Sequence, residues 1–137
     1  MRLKTVMLKT ALVVLTLALL MTPVSAAEPD TSVNCPRYLV LSELGVNLTI
    51  DSSGQASCTG SAQAIGYRIN VVVELIQADT ETVLKTWSSS GTNSVLILNR
   101  PWYVPSGHMY MVKVSADVYS GTTLIESVSR ISQVVNY

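Results

Sequence analysis

Side chains able to do acid-base or nucleophilic chemistry are scarce in this sequence. Its one histidine, His108, follows Gly107 at the head of an alternating run, the place of an exposed turn residue. A metal centre needs further His, Cys or carboxylate ligands at matched spacing, and none accompanies it. A Ser-His-Asp triad needs a serine lifted on a sharp turn, and the sequence contains no Gly-x-Ser-x-Gly segment. Asp51, Asp79, Glu81 and Asp117 are the carboxylates from which an acid and base for glycoside hydrolysis would be drawn. All four fall in turns or at outward strand positions, where solvated charge is the ordinary explanation. Asp51-Ser-Ser-Gly54 lacks the ligand series of a calcium loop, and no glycine-rich phosphate cradle opens a helix. The expectation is a protein without enzymatic activity, cofactor or metal.

Aromatic side chains are the better clue to binding. Trp102 and Tyr103 lie side by side between Pro101 and Pro105. On a loop, such rings stack on sugars or anchor a protein interface; packed inward, they plug the end of a small core. Trp87 is expected in the core, since the chain has no phenylalanine to fill it. Cys35 and Cys58 admit two readings, a disulfide or two buried thiols. Bridged, they would close a loop of about 24 residues and stabilise by roughly 3 kcal/mol through lost loop entropy. Asn47-Leu-Thr49 is a glycosylation sequon only in a host that uses it.

The start of the chain decides the compartment in which those groups work. A basic stretch, Met1 to Thr10, precedes the apolar run Ala11 to Met21 and the small-residue site Val24-Ser25-Ala26. This is the pattern of a secretory signal peptide cut after Ala26; the rival is an uncleaved anchor, for which the apolar run is short. Residues 1–26 are therefore expected to be removed, with no membrane span left and the product secreted. Export favours the disulfide reading of the cysteines. Of nine basic residues, Arg2, Lys4 and Lys9 leave with the leader, so six remain against nine acidic ones, a formal charge of −3. A mildly acidic domain with scattered Lys and Arg lacks the footprint that nucleic acid or an anionic membrane requires. The expected partner is an extracellular protein or glycan.

About 111 residues remain, enough for one ordinary core. Residues 27–42 are polar and proline-broken up to Pro36, then briefly apolar, and read as a lead-in; 43–137 carries the repeating pattern. Strands are expected where apolar or small residues recur at every second position, at Val46 to Ile50, Gln55 to Ala64, Tyr67 to Leu75, Tyr110 to Val118 and Thr122 to Ile131; Val83 to Ser89 reads as the returning strand of a hairpin, and Val95 to Leu98 as a continuous apolar run short enough for a strand buried on both sides or covered on its outer face. Ala56, Cys58, Gly60, Ala62 and Ala64 form a face of small residues that can lie close to a second sheet. Turn chemistry separates the runs, at Asp51 to Gly54 and Ser120-Gly121 among others. Arg100 to Gly107, with two prolines and a glycine, is expected to be a long connection between sheets. No window holds helical spacing, so an all-β fold follows, an antiparallel sandwich of about seven strands, with an up-and-down barrel as the alternative.

The run Val104-Pro-Ser-Gly-His-Met-Tyr-Met-Val-Lys-Val114 resembles the proline-glycine turn and Tyr-x-Val-x-Val strand late in fibronectin type III and other immunoglobulin-like domains. The resemblance implies that Tyr110 is a corner tyrosine with its hydroxyl tied to upstream backbone. The wider layout, Gly-x-Ala-x-Cys early, Lys-x-Trp-Ser in the middle and Tyr-x-Val-Lys-Val late, is similar to uncharacterised small secreted proteins of Gram-positive bacteria, a family that implies no activity. An antibody-type bridge is excluded, because no cysteine follows Cys58. A secreted binding or adhesion module using Trp102 and Tyr103 is the expected function; the alternative is an inhibitor or hydrolase acting through residues 100–106.

Overall fold

The computed structural model describes residues 39–92 and 95–137. The expected signal peptide and Cys35 lie outside the described residues. Eight strands follow in order: β1 (Glu43–Ile50), β2 (Gln55–Gln63), β3 (Arg68–Gln77), β4 (Thr82–Gly91), β5 (Val95–Tyr103), β6 (Met109–Ser120), β7 (Thr123–Ile131) and β8 (Val135–Asn136). They form two antiparallel sheets, β1-β2-β5 and β4-β3-β6-β7, with β8 pairing the first residues of β6. This is an immunoglobulin-like β-sandwich, and each of the seven expected strands is found, β1 beginning three residues earlier and β5 running on to Tyr103.

Alternation decides which side chains enter the space between the sheets. Ile69, Val71, Val73 and Leu75 of β3 interleave with Tyr110, Val112, Val114, Ala116 and Val118 of β6, all fully buried. The pairing register sets Val73 opposite Val114 and Val71 opposite Ala116, so these two central strands build one continuous apolar layer. The facing layer comes from Leu44, Leu48, Ala56, Cys58, Ala62 and Leu98. Its β2 part is small throughout, which brings the two sheets close together at mid-strand.

The ends are closed by turn chemistry. Gly54 has φ +85°, a conformation that glycine adopts without the Cβ clash, and its N–H donates to the Asp51 carbonyl at 3.1 Å. Asp51 Oδ1 accepts from Ser53 N–H at 2.8 Å, Ser53 Oγ at 2.6 Å and Gln55 N–H at 3.1 Å. Tyr110 is wholly buried and its hydroxyl donates to the Pro105 carbonyl at 2.6 Å, the corner bond that the resemblance implied. Burial, and secondarily the charge of Asp79, holds that phenol above its usual pKa. Removing only the hydroxyl, in Tyr110→Phe, is expected to cost about 1 kcal/mol, read as a lower urea midpoint at unchanged slope.

The outer edges of the sheets are irregular in ways that discourage further pairing. On β4 the register slips between Ile76 and Leu75, leaving Leu84 as an extra residue; on β7 it slips so that Ile125 is extra. β5 carries Pro101. Among the described residues no helix is long and apolar enough to cross a membrane.

Candidate functional site

The proline-rich segment departs from its expected form. Residues 100–103 are the last part of β5 rather than a free connection between sheets, paired to β2 from Gln55↔Tyr103 to Gln63↔Val95. Proline is admissible because β5 is the outer strand of its sheet, so Pro101, opposite Ser57, need not donate to a further neighbour. The remainder is tied down. Val104 is buried and its N–H donates to the Gly54 carbonyl at 2.9 Å; His108 and Tyr137 exchange backbone bonds at 3.1 and 3.0 Å. The connection on whose length the inhibitor or hydrolase alternative rested thus shortens to residues 104–108.

Because Trp102 and Tyr103 are consecutive strand residues, they point to opposite sides of the sheet. Trp102 pairs with the buried Ala56 and turns toward the sandwich, where its ring meets Trp87 of β4 edge-on, centroids 6.3 Å apart and planes at 73°. Lys85 Nζ lies 5.0 Å from the Trp102 ring centroid, an electrostatically favourable cap. These groups seal the side of the molecule where β4 and β5 run past each other. Trp87 is half-buried, in keeping with a core role at the rim, and Trp102 retains 39% exposure. Tyr103 faces the other way, 67% exposed, with its hydroxyl accepting from Gln55 Nε2 at 3.3 Å. The two rings therefore do not share one platform.

Tyr103 stands instead at the end of the outer face of the three-stranded sheet. β2 presents Gln55, Ser57, Thr59, Ser61 and Gln63 there, alternating with its buried positions. Asn47 and Thr49 of β1 are registered beside Thr59 and Ser57, and Asn99 of β5 beside Thr59 on the other flank. Ser57 Oγ donates to Asn99 Oδ1 at 3.1 Å. The outer face of the other sheet differs in kind: Arg68, Glu74, Lys113 and Asp117 stand on it, with Arg68 over the Tyr119 ring at 4.3 Å and Lys113 3.7 Å from Glu74.

Asp51 and Asp117 hold separate places, while Asp79 and Glu81 share the β3–β4 hairpin. Asp51 holds its turn, and bonds first from the Ser53 hydroxyl and then from Gln55 N–H keep its carboxyl below the usual range. Asp117 accepts from Ser127 Oγ at 2.6 Å, and Glu81 occupies the β3–β4 hairpin with φ +55°. His108 is not a lone turn residue. Its Nδ1 lies 2.8 Å from Asp79 Oδ2 and 3.0 Å from Gln77 Nε2, which itself donates to Asp79 at 3.2 Å. The bond to His108 is the main reason the Asp79 carboxyl is lowered. The pairing Gln77↔Tyr110, continued by the Ala78 N–H to Met109 carbonyl bond, brings Asp79 and His108 together. A His–Asp pair orients an imidazole, but the described contacts bring no nucleophile to it.

Cys58 carries a free thiol, wholly buried in the middle of β2; the expected bridge to Cys35 is not present in the described structure. Burial pushes this thiol up to about 11. At pH 8 its thiolate population is then about a hundredfold below that of an ordinary cysteine. In a Cys35→Ser variant, Cys58 is expected to resist a thiol-disulfide reagent while folded and to react with one equivalent in guanidinium. The sign with pH follows from the raised value: stability from the buried thiol is complete below pH 9 and declines as pH climbs toward 11.

Two further engaged groups escape a reading of the sequence alone. Glu126 of β7 accepts three successive N–H groups of the lead-in, Leu39 to Oε1 at 2.9 Å and Val40 and Leu41 to Oε2 at 2.8 and 2.9 Å. Arg130, on the same strand, donates to the Leu44 carbonyl at 3.0 Å. Together they stitch the β7 edge of one sheet to the β1 edge of the other. The only signal available in sequence was a charge of each sign at inward positions of an alternating run.

No protein-family model and no curated protein matches the chain. Among solved structures it is similar to part of a β-galactosidase from Bacteroides fragilis, 14% identical over 69% of this chain and 16% of that one, TM-score 0.44. It is similar also to part of a glycosyl hydrolase family 2 member from Bacteroides cellulosilyticus, 7% identical over 64% and 14%, TM-score 0.40. The solution structure of R. palustris CsgH is matched at 14% identity over 68% and 89%, TM-score 0.36. The chain spans about a sixth of the length of the β-galactosidase it matches. The sandwich rests on its own strand pairing. The likeness to small secreted proteins of Gram-positive bacteria gains no support from these matches.

Proposed function

We propose that this chain is an exported, non-enzymatic binding module whose ligand is an extracellular glycan or protein. The observation that carries the reading is the solvent-facing side of the three-stranded sheet, where hydroxyl and amide side chains end at the exposed ring of Tyr103. Two observations support binding over catalysis. The groups that would do acid-base chemistry are taken up locally: Asp51 holds its turn, Asp79 pairs with His108, and Asp117 accepts from Ser127. The segment 100–106, from which a hydrolase or inhibitor would act, is paired as a strand or tied to neighbouring backbone. Export rests on the signal-peptide pattern of residues 1–26.

The test is twofold. Edman sequencing of the protein from culture supernatant should begin at Ala27; retention of residues 1–26 would refute export with cleavage. The exported protein, immobilised, should retain a glycan or an extracellular protein and turn over no chromogenic glycoside. Silence on both a glycan array and a supernatant pull-down would overturn the reading.

A further inference from the structure

We infer that the outer face of the three-stranded sheet is a platform for an uncharged glycan, with Tyr103 as its stacking ring; this rests on the binding-module reading above. Three observations lead there. The first is orientation. Strand alternation turns Trp102 inward onto Trp87 and leaves Tyr103 alone on the face, 67% exposed. Its ring can receive the C–H face of a pyranose.

The second is the set of free hydrogen-bonding groups. Gln55 Nε2 donates to the Tyr103 hydroxyl, so that hydroxyl retains its own proton for a ligand. Ser57 donates to Asn99 Oδ1, which leaves both N–H groups of the Asn99 amide unspent. Thr59, on β2, is flanked by Asn47 of β1 and Asn99 of β5. The face thus offers donors and acceptors already held in place by neighbours. Such preorganisation lowers the ordering cost of binding, and sugar hydroxyls, each both donor and acceptor, match it.

The third is charge. Glu43 at one corner is the one charged residue at the outward-alternating positions of this sheet, whereas Arg68, Glu74, Lys113 and Asp117 stand on the outer face of the other. A uronic acid or sulfated glycan needs a cation to offset its desolvation; no Lys or Arg stands at the outward positions of this sheet, and Arg100, at an inward-alternating position on the β5 edge, donates to the Asn99 carbonyl at 3.0 Å. Exposed Ile97, on the same strand face as Asn99 and Tyr103, adds apolar area for sugar C–H groups.

The experiment uses the exported protein in titration calorimetry with cello-, manno- and chitohexaose as neutral probes, and polygalacturonate and heparin as acidic ones. At least one neutral hexaose is expected to bind while both acidic polymers do not. Tyr103→Ala is expected to weaken that binding at least tenfold. Thr59→Lys, which places a long charged chain in mid-face without touching the core, should abolish it. Lys113→Ala, on the opposite face, should leave it unchanged. Circular dichroism melting checks that each variant is folded; should Tyr103→Ala not fold, Thr59→Lys alone decides. If a hexaose binds and survives both face variants, or if an acidic polymer binds instead, the platform is refuted while a glycan-binding function stands. If no glycan binds but a protein is retained and lost on Thr59→Lys, the face binds protein and the glycan assignment is refuted.

Discussion

Replacing Gly60 by valine is expected to unfold much of the protein at ambient temperature, and Gly60→Ala to cost about 1 to 3 kcal/mol. Gly60 sits in the middle of β2, flanked on its buried face by Cys58 and Ala62. A Cβ built on it would lie 2.6 Å from Val73 Cγ2 and 2.9 Å from Val114 Cγ2. Both neighbours are β-branched, fully buried residues on the central strands of the opposite sheet, so neither can swing aside to another rotamer without meeting packed atoms. Alanine forces a small separation of the sheets; valine adds two methyl groups to a space without room for one. For a domain of this size each kcal/mol lowers the melting temperature by about 4 to 8 °C. Urea unfolding should show a reduced midpoint at unchanged slope. The decisive comparison is the double variant Gly60→Ala, Val73→Ala, which removes the closest overlap. The truncated valine leaves space at the point of overlap, so the double variant should be more stable than the two single losses added together. Strict additivity would show that the glycine is not needed for close approach of the sheets.

That close approach was visible in the sequence, as were most of the strands. The small-residue alternation from Ala56 to Ala64, and the period of two through Ile69 to Leu75 and Tyr110 to Val118, are local patterns that survive folding unchanged because each strand lies half-buried. The corner bond of Tyr110 was legible for the same reason, since turn and strand are adjacent in the chain. β5 was legible only to Leu98. Whether a strand can run on through Pro101 depends on whether another strand must pair beyond it, which is a property of sheet order and not of the segment. Once that order is known, the separation of Trp102 from Tyr103 follows from alternation alone. The contacts of Asp79 with His108, and of Glu126 with Leu39 to Leu41, join residues 29 and 85 to 87 positions apart. They depend on register and on which edges of the two sheets meet, and no local pattern encodes either.

The Glu126 contact leads to the second large effect. Glu126→Gln is expected to release the segment Leu39 to Leu41 and with it the anchorage of β1 to β7. Both carboxylate oxygens accept, so three backbone donors converge on one negative charge. An amide offers only one acceptor oxygen and directs its own N–H groups at the remaining donor, so the isosteric change removes charge, replaces one acceptor by a donor and preserves volume. Bonds to a charged group contribute about 1.5 to 3 kcal/mol each when well desolvated; at this half-buried rim, screening reduces the set to about 1 to 3 kcal/mol in all. Hydrogen exchange at the amides of Val40 and Leu41 should then quicken by roughly ten- to a hundredfold, while the β3 and β6 amides keep their protection. Leu41, buried beneath the clasp, carries the loss into the core, so global stability should fall by part of the same amount. The pH dependence has a definite sign. Burial tends to raise the carboxyl, but the three N–H groups outweigh it and hold the pKa below 4.5. The contribution is therefore complete above pH 4.5 and is lost as pH falls through the depressed value. Wild type should loosen at residues 39–41 on acidification, and Glu126→Gln should show the loosened state at every pH. Equal protection of the two proteins at neutral pH would mean that packing of Leu41, rather than the carboxylate, fixes the chain there.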